Sequence, residues 1–175
     1  MNSTVNTPAE DRGPMPELRD VLIAQLDHQR EHVLAGIEGL GERALDRVVA
    51  PSGWTLRGMV THLLHDVKIF WMGAVLGADR LAIARVCDGW SAPSIPGRQL
   101  RREYREAASN GNRHLGIVDL NAEPKWWPPS ETFDGPRLRS GLEVVFRGLH
   151  ETATHAGHID MARERLDDHQ HLVVT

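Results

Sequence analysis

The strongest constraint on the fold is a row of residues near the end of the chain, mostly apolar and spaced alternately three and four apart. An α-helix has 3.6 residues per turn, so this spacing gathers the side chains into one stripe. The stripe predicts a helix over residues 137–166 that is buried along one side. Its members are Leu138, Leu142, Val145, Leu149, Thr152, Ala156 and Ile159, of which only Thr152 is polar. Other amphipathic helices must cover such a seam.

Three more segments carry the helical pattern. Apolar side chains recur at close to helical spacing over residues 16–40, and Gly41 is expected to end that helix. Thr55 is a suitable N-cap for a second helix over residues 56–76, since its hydroxyl can accept from a free backbone amide. A third helix is predicted over residues 98–118, although an Asn-Gly-Asn stretch interrupts its pattern.

The connections after the second and third helices are long, and no segment alternates as a strand does. We therefore expect an all-α fold, a four-helix bundle in which long crossovers bring sequential helices into parallel. The domain is expected to span residues 15–168. It is flanked by a disordered N-terminal tail, residues 1–14, and a C-terminal tail, residues 169–175.

Charge and hydropathy argue against two classes of partner. The formal net charge is -4 and no basic stripe is present, so nucleic-acid binding is not expected. No apolar run approaches the roughly 18 residues that a membrane span needs. The N-terminus has neither a basic start nor an apolar segment, which favours a cytoplasmic protein.

Two helices carry candidate metal ligands. Glu151 and His155 lie one turn apart on the fourth helix, at the edge of its seam, and His158 stays on the same side. A carboxylate so close to a core is costly unless a cation or a metal pairs with it. On the second helix, His62 lies beside the apolar face, with Asp66 one turn beyond. Bundles commonly bind metals through inward-facing Glu and His, so His62, Glu151 and His155 predict a three-ligand site with one open position.

Other interpretations of these residues stay open. A Glu and a His four apart also form surface ion pairs, and His65 is an alternative to His62. His28 and His32 have the same spacing, but they lie in a polar stretch and are predicted to be solvated. Cys87 is the only cysteine and is predicted to be an incidental loop thiol. Sulfur chemistry would then depend on a thiol that arrives with a cofactor.

Three stretches together resemble one family. They are residues 53–57 (GWTLR), 61–64 (THLL) and 149–164 (LHETATHAGHIDMARE), and the similarity extends over residues 16–167. They resemble the DinB-like superfamily, most closely its mycothiol-dependent branch. The resemblance implies an up-down-down-up four-helix bundle, often dimeric. It also implies a divalent metal, usually zinc or nickel, held by three side chains.

Many members of this superfamily use three histidines, and Glu151 stands here in the place of one of them. A His, Glu, His set is similar to that of mycothiol-dependent maleylpyruvate isomerase. The resemblance therefore implies His62, Glu151 and His155 as the metal ligands. His158 would lie next to them, where it could shuttle a proton or orient a ligand.

The predicted function is that of a metal-dependent thiol S-transferase or thiol-assisted isomerase. The metal would bind a low-molecular-weight thiol such as mycothiol as thiolate, which attacks an electrophilic small molecule. A metal-dependent hydrolase and a non-catalytic, metal-binding stress-response protein are the alternatives. Arg57 or Arg147 would bind polar groups of the thiol, unless they form salt bridges instead. Trp126 and Trp127 either wall a pocket or cap the end of the bundle.

Overall fold

The computed structural model describes residues 17–169, and this part of the chain is all-helical. The predicted tails lie outside the described residues, apart from His169. A single bridge pair, Val48 with Thr55, is the only β-type pairing in this range. The helices are α1 (Leu18–Gly36), α2 (Glu42–Leu45), α3 (an α-helical part, Leu56–His62, followed by a π-helical part, Leu63–Leu76), α4 (Arg80–Ala84), α5 (Gly97–Ile117) and α6 (Gly141–Asp167).

Four of these helices are long, and each packs against two of the others. Both α1 and α3 contact α5 on one side and α6 on the other. The apolar core lies between them, which confirms the all-α prediction for the described residues. Within the same range, no helix combines the length and the apolar character that crossing a bilayer would require.

The start of α6 is fixed by local hydrogen bonds. The Ser140 hydroxyl accepts from the Glu143 amide at 3.2 Å, and the Glu143 carboxylate accepts from the Arg139 amide at 2.6 Å. This reciprocal arrangement resembles a capping box, and it starts the helix at Gly141, four residues later than predicted. The predicted seam is confirmed where the helix crosses the core, at Val145, Thr152, Ala156 and Ile159, all 0% exposed.

The end of α1 is set by α6. The prediction that Gly41 ends this helix is wrong, because it ends at Gly36. Arg163 of α6 donates to the carbonyls of Gly36 and Glu38, at 2.8 and 3.1 Å. These bonds satisfy carbonyl groups that a helix leaves free at its C-terminus. The two helices also approach closely here, because a Cβ at Gly36 would overlap the Ile159 side chain.

The second predicted helix changes its winding within the core. Thr55 is its N-cap as predicted, with the Gly58 amide donating to the hydroxyl at 3.0 Å. From Leu63 to Leu76 the backbone is π-helical, and most of its side chains are buried. Segments of π-helix are rare and often occur at functional sites. The candidate ligand His62 is the residue directly before this change.

The buried side chains form two clusters. The first lies at the end of the molecule that holds His62 and includes Val33, Ile37, Leu45, Leu56, Met59, Val60, Leu63, Ala156 and Ile159. The second is rich in aromatic rings, and both tryptophans of the loop before α6 pack on it. Trp126 lies 6.4 Å from Phe70, and Trp127 lies 6.0 Å from Trp71, between ring centroids. Trp126 and Trp127 therefore cover this second cluster.

The polar member of the α6 seam binds a buried lysine. Lys68 is 1% exposed, and its Nζ donates to Thr152 Oγ1 at 2.7 Å. The Thr152 hydroxyl in turn donates to the Gly148 carbonyl at 2.6 Å. Burial, with the nearby Arg30 charge, holds the pKa of Lys68 well below its usual value.

One of the two histidines predicted to be solvated is buried. His28 is exposed, but His32 is 5% exposed and its Nε2 lies 2.7 Å from Asp160 Oδ2. The prediction for His32 is wrong because this side of α1 faces α6. The polar residues around it in the sequence gave no sign of that contact.

Candidate metal centre

The three candidate ligands converge although they come from two helices. His62 ends the α-helical part of α3, and Glu151 and His155 lie one turn apart on α6, which packs against it. One ligand atom from each of the three lies within 4.8 Å of the other two. His155 Nε2 is 3.7 Å from Glu151 Oε2. The two histidine side chains are 12% and 10% exposed and the glutamate 30%, so the cluster is open on the carboxylate side.

The orientation of His62 is fixed by Asp66, one turn further along α3. The distance between His62 Nδ1 and Asp66 Oδ2 is 2.6 Å. An ionised carboxylate only accepts, so Nδ1 carries a proton and Nε2 is the nitrogen that can bind a metal. Carboxylate partners of this kind commonly fix the tautomer of metal-binding histidines.

His158 contacts the other histidine. Its Nδ1 lies 3.3 Å from His155 Nδ1, so the opposite nitrogen of His155 faces Glu151. The edge of the His158 ring also meets Trp54, at 5.5 Å between ring centroids. The structure thus brings His158 next to the three candidate ligands without making it one of them.

Burial and charge keep His155 neutral. Its pKa falls to about 4, first because of burial and then because of His62 and His158, while Glu151 opposes the shift. A neutral imidazole is the form that binds a metal. Arg147 Nη1 lies 3.5 Å from Glu151 Oε1 on the exposed side.

Two tryptophans form one wall of the cluster. The Trp90 ring stacks on His62 with 4.3 Å between centroids and 16° between planes. Trp54 stacks on Trp90 at 5.2 Å and lies 5.8 Å from the His155 ring. Trp90 was not predicted as part of the site, because it lies in a loop without periodicity. Trp54 belongs to the GWTLR stretch, which was the one available signal.

The loop that carries Trp90 is tied to the residue that orients His62. The Gly89 amide lies 3.0 and 3.1 Å from the two carboxylate oxygens of Asp66. A Cβ at Gly89 would lie 2.5 Å from Asp66 Oδ2 and 2.9 Å from His62 Cα, so only glycine allows this approach. The Asp88 carboxylate accepts from the Ser91 hydroxyl and the Trp90 amide, which lowers the pKa of Asp88.

Arg57 has a structural role at the edge of this region. It is 5% exposed and donates to Asp46, to Glu42 and to the Ile95 carbonyl, each with a contact of 2.6 Å. The hydrogen bond to Asp46, ahead of that to Glu42, raises the pKa of Arg57. These bonds join α2 and the segment before α5 to α3, so Arg57 forms the salt bridges that were one of its two predicted roles.

His65 and Cys87 contact each other and lie outside the cluster of three. His65 Nδ1 is 3.3 Å from Cys87 Sγ. Burial, followed by the Asp66 and Asp88 charges, raises the pKa of the Cys87 thiol, which disfavours a reactive thiolate. Burial, followed by the Arg85 charge, lowers the pKa of His65.

The donor set fits a divalent metal. Two imidazoles and one carboxylate are the protein ligands of open catalytic zinc sites, in which substrate or water takes the fourth position. Nδ1 of each imidazole has a hydrogen-bonding partner, which leaves Nε2 of each ring to bind a metal. Without a metal ion, the Glu151 carboxylate would have, among the described residues, only the exposed Arg147 as a cationic partner.

Comparison with known proteins identifies one family. No curated protein and no solved structure matches the chain. The family described as mycothiol-S-transferase matches residues 21–168, a range that includes the whole candidate centre. Because the match covers most of the sequence, the chain belongs to the mycothiol-S-transferase family.

Proposed function

We propose that this protein is a metal-dependent S-transferase that joins the thiol of mycothiol to an electrophilic small molecule. The observation that carries the proposal is the convergence of His62, Glu151 and His155, within 4.8 Å of one another, in a member of a mycothiol-S-transferase family. Arginine is far more common than lysine in the chain, which has only Lys68 and Lys125 among its 20 basic residues. We take this as consistent with a mycothiol-producing host.

His62, Glu151 and His155 would hold the divalent metal, which we expect to be zinc or else nickel. When bound, such an ion lowers the pKa of a coordinated thiol and so supplies a thiolate at neutral pH. Asp66 accepts from His62 Nδ1 and keeps its Nε2 available. Trp90, stacked on the His62 ring, restricts water on that side of the centre.

His158 completes the arrangement as a hydrogen-bonding group. With Nε2 of His155 used for the metal, Nδ1–H of His155 donates to Nδ1 of His158. The proton of a neutral His158 is then on its own Nε2. That N–H would donate to the electrophile or its leaving group, which is the catalytic role we assign to His158.

In the proposed transfer, each bond that forms is matched by one that breaks. The thiolate sulfur forms a bond to the electrophilic carbon, and the leaving group departs with its bonding electrons. The thiol proton passes to solvent. In the isomerase variant of the reaction, sulfur adds to a double bond and is expelled again after rotation, so that no atoms are gained or lost.

The proposal also covers the arrangement of the helices, the oligomeric state and the location of the protein. The mutual packing of α1, α3, α5 and α6 supports a four-helix bundle. The up-down-down-up order of its helices and its extent over residues 15–168 belong to the proposal. A homodimer and a cytoplasmic location also belong to the proposal. Sedimentation analysis of the purified protein tests the dimer.

The first test is the metal content of protein purified without added metal. We expect close to one divalent ion per chain in the wild type and a large loss in His155→Ala. His150→Ala is the matched control, because His150 is exposed and lies on the same helix. A wild-type protein that binds no divalent ion, even after incubation with zinc or nickel, would refute the metal centre.

The second test is titration calorimetry with mycothiol, bacillithiol and glutathione. We expect mycothiol to bind the metal-loaded protein and not the metal-free one. Failure of all three thiols to bind the metal-loaded protein would contradict the transferase. Ester or amide hydrolysis by that protein would then indicate the hydrolase, and its absence the non-catalytic alternative.

A further inference from the structure

A cavity of about 150 Å³ lies directly beside the candidate metal centre. It opens between the loop that precedes α3 and the C-terminal half of α6. Its lining residues are Val49, Ala50, Ser52, Trp54, Met59, His158, Met161, Ala162 and Arg165. Two of them, Trp54 and His158, also contact His155, so the cavity and the centre share a wall.

The same face of α6 serves both sites. Glu151 and His155 are one turn apart, and His158, Ala162 and Arg165 follow at spacings of three and four. A molecule in the cavity therefore lies along the helix that carries two of the candidate ligands. One end of it would reach the vicinity of His155.

The wall of this cavity is largely apolar. Trp54 offers a ring face or edge, and Met59 and Met161 offer thioethers, which pack well against aromatic rings. Three polar side chains line the cavity: Ser52 and Arg165 are exposed and stay in contact with water, and half-buried His158 lies toward the candidate metal centre. A hydrophilic thiol would lose hydrogen bonds to water on entering such a space and would recover few.

The size of the cavity limits its occupant. An apolar cavity of roughly 150 Å³ in another protein admits one benzene molecule. The volume here is about the same, and the side facing His158 is the side nearest the candidate metal ligands. A body the size of one aromatic ring therefore fits the cavity.

We propose that this cavity binds the apolar body of the electrophilic substrate, and that the substrate class is a small molecule with one ring-sized apolar group next to its reactive carbon. A benzylic halide is the simplest example. Thiolate attacks the benzylic carbon, a thioether forms, halide leaves with the bonding pair, and the thiol proton goes to solvent. Two experiments test this proposal, a binding test and a reaction test. The reaction test rests on the proposed transferase function, whereas the binding test does not.

The binding test measures, by fluorine NMR, the binding of the unreactive probe 4-fluorobenzyl alcohol to metal-free protein. Ala162 is 4% exposed and lines the cavity, so Ala162→Leu fills it. We expect the wild type to bind at millimolar concentration and Ala162→Leu to bind at least about tenfold more weakly. Phe146→Ala is the control, because Phe146 is an exposed apolar residue elsewhere on α6.

A second variant covers the case in which Ala162→Leu folds poorly. Met161 is 59% exposed at the edge of the cavity, so its truncation should be tolerated. Met161→Ala widens the space, and we expect it to bind 2-naphthylmethanol better than the wild type does. Absence of binding to the wild type overturns the proposal. So does equal binding of the fluorinated probe to a folded Ala162→Leu.

The reaction test compares benzyl chloride with iodoacetamide as acceptors for mycothiol. Both are assayed in a Cys87→Ser background, since Cys87 is exposed and would be alkylated. We expect Ala162→Leu to lower kcat/KM for benzyl chloride at least about tenfold more than for iodoacetamide. An equal loss for both acceptors would overturn the assignment of the cavity to the electrophile. Probe binding that Ala162→Leu abolishes, without any thiol transfer, would instead refute the proposed function and leave the cavity site standing.

Discussion

The backbone amide of Gly89 donates to the carboxylate of Asp66, with 3.0 Å between the nitrogen and Oδ1. The same carboxylate accepts from His62 Nδ1. One side chain therefore orients a candidate metal ligand and anchors the loop that stacks Trp90 on that ligand. A change that weakens either contact of Asp66 should therefore alter metal binding at the candidate centre.

Gly89→Ala should displace the loop and weaken metal binding. The new Cβ would lie 2.5 Å from Asp66 Oδ2, so the loop must move and take Trp90 away from His62. Quenching of tryptophan fluorescence by nickel should decrease, and chelator competition should give a weaker affinity. Gly116→Ala is the control, because Gly116 is exposed and has open space around it. An unchanged affinity in Gly89→Ala would contradict the role given to the loop.

Asp66→Asn should reduce metal affinity by roughly 10- to 100-fold, as loss of a carboxylate behind a metal-binding histidine usually does. The amide still fills the space, but it holds the Nδ1–H of His62 less strongly. Competition with a fluorescent zinc indicator gives the dissociation constants. Asp134→Asn, on an exposed residue of the loop before α6, should leave them unchanged. Equal constants for the wild type and Asp66→Asn would refute the orienting role.

Metal-free protein should lose stability as the pH falls below about 6.5. The pKa of His155 is 6.5 in the unfolded chain and about 4 in the folded protein, so the unfolded state takes up a proton first. The contribution is fully present above pH 6.5 and is lost progressively down to pH 4. Urea unfolding at pH 7.5 and 4.5 measures it, with His155→Gln as the comparison. We expect the variant to have the smaller pH dependence, and an equal slope in both proteins would count against this assignment.

Lys68→Met should stabilise the protein at neutral pH, by roughly 1 to 3 kcal/mol. The pKa of Lys68 is lowered by burial, so folding at neutral pH must leave a cation in the core or release its proton. The unfolded chain holds that proton up to about pH 10.5, so the advantage of methionine should shrink as the pH rises toward that value. Thr152 keeps its bond to the Gly148 carbonyl in the variant.

Lys125→Met provides the matched control, because Lys125 is the other lysine of the chain and is exposed. It should change the urea midpoint little at any pH. If Lys68→Met proved less stable than the wild type at neutral pH, the hydrogen bond to Thr152 would outweigh the cost of burial.

The parts of the site that the sequence predicted lie on regular helices. Glu151 and His155 could be assigned to one face because a single helix fixes their spacing, and the seam beside them marked which face is buried. His62 was assigned in the same way, from its position beside the apolar face of the second helix, and it lies in the α-helical part of α3. The change of winding itself could not be predicted. Residues 63–76 are apolar on nearly every side, and such a pattern does not distinguish the two kinds of helix.

The parts that were missed depend on contacts between residues distant in sequence. Trp90 reaches His62 only because the Gly89 amide binds Asp66, 23 residues earlier. His32 is buried by Asp160, which is 128 residues away. The residues next to these positions in the sequence show no pattern that indicates either contact. Hydrophobic periodicity therefore could not predict them.

The bonds from Arg163 to the carbonyls of Gly36 and Glu38 have a consequence for how the molecule unfolds. The first long helix receives its terminal cap from the last one, 127 and 125 residues further along the chain. The end of α1 cannot separate from α6 without breaking these bonds, which would leave the carbonyls of Gly36 and Glu38 without Arg163 as their partner. Amide hydrogens in the last turn of α1 and around Arg163 should therefore exchange with deuterium through one shared opening event.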